Sequence, residues 1–181
     1  NIEFVFGPPG TGKTYNLAQK IIKLMSESSK KKILVLTPTN KAADVIVSKI
    51  IELDEEKKSY KNWLLRFGTT NDANIEKSGV FHDKTFNIHS QLKNVTVTTI
   101  ARFPYDFFIT SGVGNLRDID WDYIIIDEAS MIMLAQILLP LYKQRPKKFI
   151  IAGDPFQIEP VTVIDLWQKE NIYTLVALNS F

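Results

Sequence analysis

The octapeptide Gly-Pro-Pro-Gly-Thr-Gly-Lys-Thr at residues 7–14 constrains this 181-residue chain more than any other stretch. Residues 2–6 before it are apolar and partly β-branched, as in a strand, and Leu17, Ile21, Leu24 and Met25 after it fall at helical spacing. The octapeptide therefore joins a strand to a helix. Glycines at Gly7, Gly10 and Gly12 let successive backbone N–H groups turn inward without Cβ clashes, forming an anion nest at a helix N-terminus. The pattern reads as a P-loop. Gly7, Pro8, Pro9, Gly10, Thr11 and Gly12 would cradle nucleotide phosphates, Lys13 would reach the β- and γ-phosphates, and Thr14 would offer its hydroxyl to Mg²⁺. Pro8 and Pro9 fix φ and stiffen the loop.

The rest of the chain repeats strand, loop and helix. Residues 33–36 (Ile-Leu-Val-Leu) form a continuous apolar run, expected of a strand covered on both faces, and hence of a parallel sheet. Thr37, Pro38, Thr39 and Asn40 stop it, and Thr39 or Asn40 can cap a helix with apolar positions at Ala42, Ala43, Ile46, Val47, Ile50 and Ile51. Residues 52–94 break the pattern and are read as an insertion at the sheet edge, with a helical patch at Trp63, Leu64 and Phe67 ended by Gly68. His82 and His89 lie there without thiolate partners and are assigned no role. Strand character returns at residues 95–100, 123–126 and 149–152, with a helix from 131 to Pro140. A weak helix is expected around Leu166 and Trp167, and an edge strand over 172–178.

Composition excludes more than it assigns. With 22 Lys and Arg against 20 Asp and Glu, the net charge of +2 neither demands nor forbids nucleic acid. The absence of cysteine excludes disulfide frameworks, thiolate zinc sites and cysteine nucleophiles, and fits a cytoplasmic protein. The longest apolar run, residues 131–141, is interrupted by Gln136 and Pro140 and is too short to span a bilayer, so no membrane partner is expected. No signal peptide is expected before the first strand. Opening on Asn1 directly before strand-like sequence, the chain is expected to be one domain of a longer protein.

The strands before the tail deliver polar residues at their C-terminal ends, where ligands sit in open parallel sheets. Asp127, after three isoleucines, suits a Mg²⁺ partner acting through water, and Glu128 would position and deprotonate an attacking water. An Asp-Glu pair can also merely end a strand and cap a helix; the P-loop upstream favours the chemical role. Gln157 can hydrogen-bond a γ-phosphate or the water.

The stretches GPPGTGKT (7–14), TPTNKAAD (37–44), VTVTTI (95–100), DEAS (127–130) and GDPFQIEP (153–160) resemble motifs I, Ia, Ic, II and III of superfamily 1 helicases, in order and spacing. The closest branch contains the nonsense-mediated-decay helicases and bacterial relatives of the Dna2/Nam7 type. The resemblance implies an α/β P-loop NTPase fold of RecA-like type, a mainly parallel sheet with helices on both faces, spanning residues 1–181 with the edge insertion at 52–94. It implies ATP and Mg²⁺ as cofactors, with Lys13, Glu128 and Gln157 catalytic and Thr14 and Asp127 on the metal. Thr37, Pro38, Thr39, Asn40, Thr98 and Thr99 would contact the backbone of single-stranded DNA or RNA, and Gln157 would couple the γ-phosphate to that strand. Glu159 departs from many relatives, which carry proline or a neutral residue there. The later motifs, and the arginines that close on the γ-phosphate, would belong to a second RecA-like domain. This chain would then be the ATP-binding half of an ATP-dependent helicase or translocase, nearly inactive by itself.

Two other readings remain at this stage. A nucleotide-gated switch or binding module would hold ATP without moving a strand, and a ring ATPase would share only the P-loop and acid pair.

Overall fold

The structure is a computed structural model, and it describes residues 1–8, 10–82, 86–88, 91–105, 115–156 and 170–178. Among the described residues, seven strands form one sheet: β1 (Ile2–Phe6), β2 (Lys32–Thr37), β3 (Leu64–Phe67), β4 (Phe81–His82), β5 (Asn94–Thr99), β6 (Tyr123–Ile126) and β7 (Lys148–Gly153). Their spatial order is β1-β7-β6-β2-β5-β3-β4, and every pairing is parallel. β7 therefore lies between the P-loop strand and β6.

The apolar runs are buried because both faces of the sheet are covered, as continuous Val/Ile/Leu strands require. Alternate residues serve opposite sides. Ile33, Val35, Ile125 and Ile150 join α1 (Lys13–Ser26) and α2 (Asn40–Leu53) in one core, while Leu34, Leu36, Ile124, Ile126 and Ile151 belong to the other. That second core receives Ile137 from α4 (Leu134–Lys143) and Tyr173 from α5 (Ile172–Leu175).

Four local expectations change. Residues 64–67 are strand β3, wholly buried beside β5, because Trp63 terminates a preceding 3-10 turn and the following residues gain ladder partners. Gly68 accordingly follows a strand, at φ 121°, with the Arg102 guanidinium against it where a side chain would stand. The helix expected from 131 begins at Leu134 and passes through Pro140 to Lys143, after a 3-10 turn at Ala129–Met131. The expected strand over 172–178 is the short helix α5, which follows α3 (Ala73–Lys77) and α4 in chain order. Asn171 caps it through Oδ1 to the Tyr173 and Thr174 N–H groups, and the Thr174 hydroxyl accepts from the Asn171 N–H. The helix expected around Leu166 and Trp167 lies outside the described residues, as do His89 and Glu159. Among the described residues no helix is long and apolar enough to cross a membrane.

Candidate active site

All strands being parallel, their C-terminal ends share one edge, and the P-loop, Thr37, Thr99, Asp127 and Gly153 all gather there. The loop after β1 takes the left-handed turns its glycines allow: Gly10 and Gly12 both lie at φ 81°, and Gly12 is the N-cap of α1. A Cβ on Gly7 would stand 2.5 Å from Thr11 Oγ1, so the loop cannot close as tightly with any other residue there. Thr11 Oγ1 donates to the Pro8 carbonyl at 2.7 Å. Lys13 is 7% exposed, and its ammonium donates to the carbonyls of Gly7 and Pro8. Pro9 lies outside the described residues.

Facing the loop, Asp127 and Glu128 follow β6 directly. Asp127 is 3% exposed, and burial, then the neighbouring Glu128 charge, push its carboxyl up to about 6. Glu128 sits at φ 51° and carries a buried Oε2 with no hydrogen-bond partner. The cleft over the P-loop, about 430 Å³, is lined by Pro8, Gly10, Gly12, Lys13, Thr14 and Glu128. A second cleft, about 300 Å³, is lined by Thr14, Thr39, Lys41, Asp127 and Glu128 among others. The two share Thr14 and Glu128.

The donor set fits a hard divalent cation. A threonine hydroxyl and a carboxylate line one cleft, and a buried carboxyl held near 6 with an unpartnered carboxylate oxygen beside it is the arrangement a cation stabilises.

The expected strand-contacting residues divide by exposure. Thr39 and Asn40 are exposed, and Thr39 caps α2 by accepting the Ala42 N–H at 3.1 Å. Thr37 and Thr98 are fully buried, and Thr99 nearly so. The Thr37 hydroxyl donates to the Thr39 carbonyl at 3.0 Å, while Thr98 Oγ1 has no partner. β2 and β5 are interior strands covered on both faces, and the Thr37 and Thr98 side chains are buried there. Pro38 is half-buried between them. Gln157 lies outside the described residues.

Two residues beside the site carry no motif. Tyr173 is buried against Gly153, with ring centroids 6.0 Å from Phe4 and 5.7 Å from Phe6, and its hydroxyl is unpartnered. Burial and the charges of Asp127, Glu128 and Asp154 push its phenol well above the usual range. Arg66 is the other, buried beneath the start of α2. Only the capping spacing of Asn171 and Thr174 announced the former, and a lone arginine in an apolar run the latter.

Residues 1–163 match the family described as an AAA domain. The chain belongs to that family. This AAA-domain chain is 30% identical over 170 residues to the DNA replication ATP-dependent helicase/nuclease dna2 of Schizosaccharomyces pombe, covering 93% of this chain and 11% of the relative. It is 35% identical over 165 residues to RecBCD enzyme subunit RecD of Buchnera aphidicola, covering 89% and 23%. To RNA helicase Mov10l1 of Homo sapiens it is 26% identical over 165 residues, covering 87% and 13%. The chain spans between about a tenth and about a quarter of the length of these curated relatives. Together with its parallel P-loop sheet, these similarities make it a superfamily 1 helicase-type, RecA-like motor domain with a nucleotide site.

Proposed function

We propose that this AAA-domain chain is the ATP-binding half of a helicase or translocase that couples ATP hydrolysis to movement along single-stranded nucleic acid. The observation that carries the reading is the sharing of Thr14 and Glu128 between the P-loop cleft and the cleft that reaches Thr39. One acid thus borders both the phosphate cradle and the N-terminus of α2, a helix start whose N–H groups suit a nucleic-acid phosphate.

In this reading the loop from Gly7 to Gly12 binds the phosphates through backbone N–H groups, and Lys13 leaves the Gly7 and Pro8 carbonyls for the β- and γ-phosphates. Thr14, and Asp127 through water, would hold Mg²⁺, which when bound would supply positive charge against the developing charge of the transferring phosphoryl group. Glu128 orients the attacking water and takes its proton on Oε2. Gln157 senses the γ-phosphate from the segment after β7. Pro38, Thr39 and Asn40 meet the strand, supported from beneath by Thr37, Thr98 and Thr99.

An arginine for the transferring group has to come from elsewhere. Arg66 is engaged with Asp44, Arg102 lies against Gly68 and Thr69, and Arg145 donates to carbonyls at the end of α4. Arg117 sits on the segment leading into β6, where its backbone carbonyl accepts from the Gln144 amide ahead of β7, at the opposite edge of the sheet. A second RecA-like domain is the proposed source, and this chain alone is expected to bind nucleotide but turn it over slowly.

Strand displacement by the full-length protein tests the proposal. Displacement of a tailed duplex that requires ATP supports it, whereas strand-stimulated ATP turnover with neither displacement nor translocation would favour a nucleotide-gated switch.

A further inference from the structure

Arg66, in β3, is fully buried and lies in the 52–94 segment, which carries none of the motifs. Its Nε donates to Asp44 Oδ1 at 2.7 Å and its Nη1 to the Phe67 carbonyl at 2.8 Å. Its Nη2 donates to the Thr69 carbonyl at 2.6 Å, the Asn40 carbonyl at 3.3 Å and Asn40 Oδ1 at 3.2 Å. The remaining Asp44 oxygen accepts from Thr70 Oγ1 at 2.9 Å. The guanidinium is thus bound to both Asn40 and Asp44 of the first helical turns of α2.

This geometry decides which end of the Asn40 amide is free. A guanidinium has donors and no acceptor, so only an amide oxygen can face it. The Asn40 NH₂ group must then point away from Arg66. Asn40 is exposed and lines a groove of about 730 Å³ between α2 and residues 69–73 that carries Lys41 and Lys49 and also Asp44, Glu52 and Asp72; of these acids Asp44 is held by Arg66 and Thr70, Asp72 caps α3 and Glu52 pairs with Lys49. An amide donor at that place suits a phosphate oxygen, and a carboxylate would not.

We propose that Arg66 is a positioning residue for strand binding: by holding Asn40 Oδ1 it fixes the Asn40 NH₂ as a donor to the nucleic-acid backbone. The inference rests on the reading of residues 38–40 as a strand contact. It also gives the motif-free segment a task, since β3 supplies the group that orients the start of α2. Lysine cannot substitute, because a single ammonium cannot span Asp44, Thr69 and Asn40 as the planar fork does.

The test measures equilibrium binding of fluorescent poly(dT) and poly(U) single strands to the full-length protein, with nucleotide affinity measured alongside. Arg66→Lys and Asn40→Ala should each weaken strand binding about tenfold, the scale of losing one hydrogen bond to a charged acceptor. Nucleotide affinity should stay within about twofold of wild type, a change below roughly half a kcal/mol. If Arg66 acts through Asn40, the double variant should bind no worse than the weaker single variant; multiplied losses overturn the inference. Should Arg66→Lys fail to fold by circular dichroism, Asn40→Asp decides. It retains an oxygen for Arg66 but offers the phosphate only an acceptor, so it should lose at least as much affinity as Asn40→Ala, and wild-type affinity overturns the inference. Unchanged binding in Arg66→Lys with weakened binding in Asn40→Ala removes the role of Arg66 and leaves the contact at 38–40 standing. Unchanged binding in both Thr39→Ala and Asn40→Ala overturns that contact, and the inference with it.

Discussion

The Glu128 N–H donates to Asp127 Oδ1 at 3.0 Å, while Glu128 itself sits in the left-handed region at φ 51°. A non-glycine residue there costs on the order of 1–2 kcal/mol, and such strain concentrates where side-chain direction matters. The turn lets neighbouring acids differ. Asp127 stays in the protein with its carboxyl raised, and Glu128 reaches the P-loop cleft with one oxygen unpartnered.

The raised Asp127 carboxyl has a consequence for stability. Between its ordinary value near 3.8 and about 6, the folded chain binds more protons here than the unfolded chain, so this group's contribution to stability falls as pH rises through that window. The difference amounts to about 3 kcal/mol above pH 6. Asp127→Asn should therefore raise the Tm measured without nucleotide at pH 7.5 by several degrees and change it little at pH 4. The same substitution should abolish any Tm gain from Mg²⁺ with nucleotide. A lower Tm at pH 7.5 in the Asn variant would contradict the assignment.

Lys13→Ala removes the cation from the P-loop without touching the acid pair. Fluorescent-nucleotide titration should show affinity weakened by about tenfold or more, the value of a charge-assisted hydrogen bond. Glu128→Gln should leave that affinity within about twofold, under half a kcal/mol. Equal losses in the two variants would remove the separation of binding from proton transfer.

Gly153→Ala places a methyl 2.8 Å from the Tyr173 hydroxyl and 3.1 Å from the Ala129 nitrogen. Overpacking of this kind costs about 1–3 kcal/mol. Tyr173→Phe deletes a buried hydroxyl that has no partner, so it should leave Tm unchanged or raise it, and it should soften the Gly153→Ala loss. Thermal denaturation of the single and double variants measures both effects, and a strongly destabilised Tyr173→Phe would mean that the hydroxyl is engaged.

Thr39→Ala should act twice. Losing the N-cap of α2 should cost about 1 kcal/mol of stability, and losing a backbone contact should weaken single-strand binding about equally for all base sequences. A loss confined to particular sequences, seen by titrating several homopolymers, would indicate base readout.

The sheet was legible because its interior strands are uninterrupted apolar runs, Ile33 to Leu36 and Ile124 to Ile126, each ending in polar residues. The P-loop fixed the direction of β1, since the phosphate-binding turn has to follow that strand. Short-range patterns failed where tertiary partners decide. Residues 64–67 become a strand only because β5 offers a ladder, and residues 172–175 become a helix through one capping box. The burial of Thr37 and Thr98 follows from the packing on both faces of the sheet, which hydroxyl content does not reveal. Arg66 was opaque for the same reason: its partners Asn40 and Asp44 lie more than twenty residues earlier.

The most direct test is steady-state ATP turnover by the full-length protein, with and without single strands, in wild type and in Glu128→Gln. Single strands should stimulate the wild type, and Glu128→Gln should bind ATP normally while losing about 10²- to 10⁴-fold in turnover, the usual worth of a general base. Strand-independent turnover, or turnover that survives in Glu128→Gln, would contradict a motor in which this acid joins the nucleotide cleft to the strand.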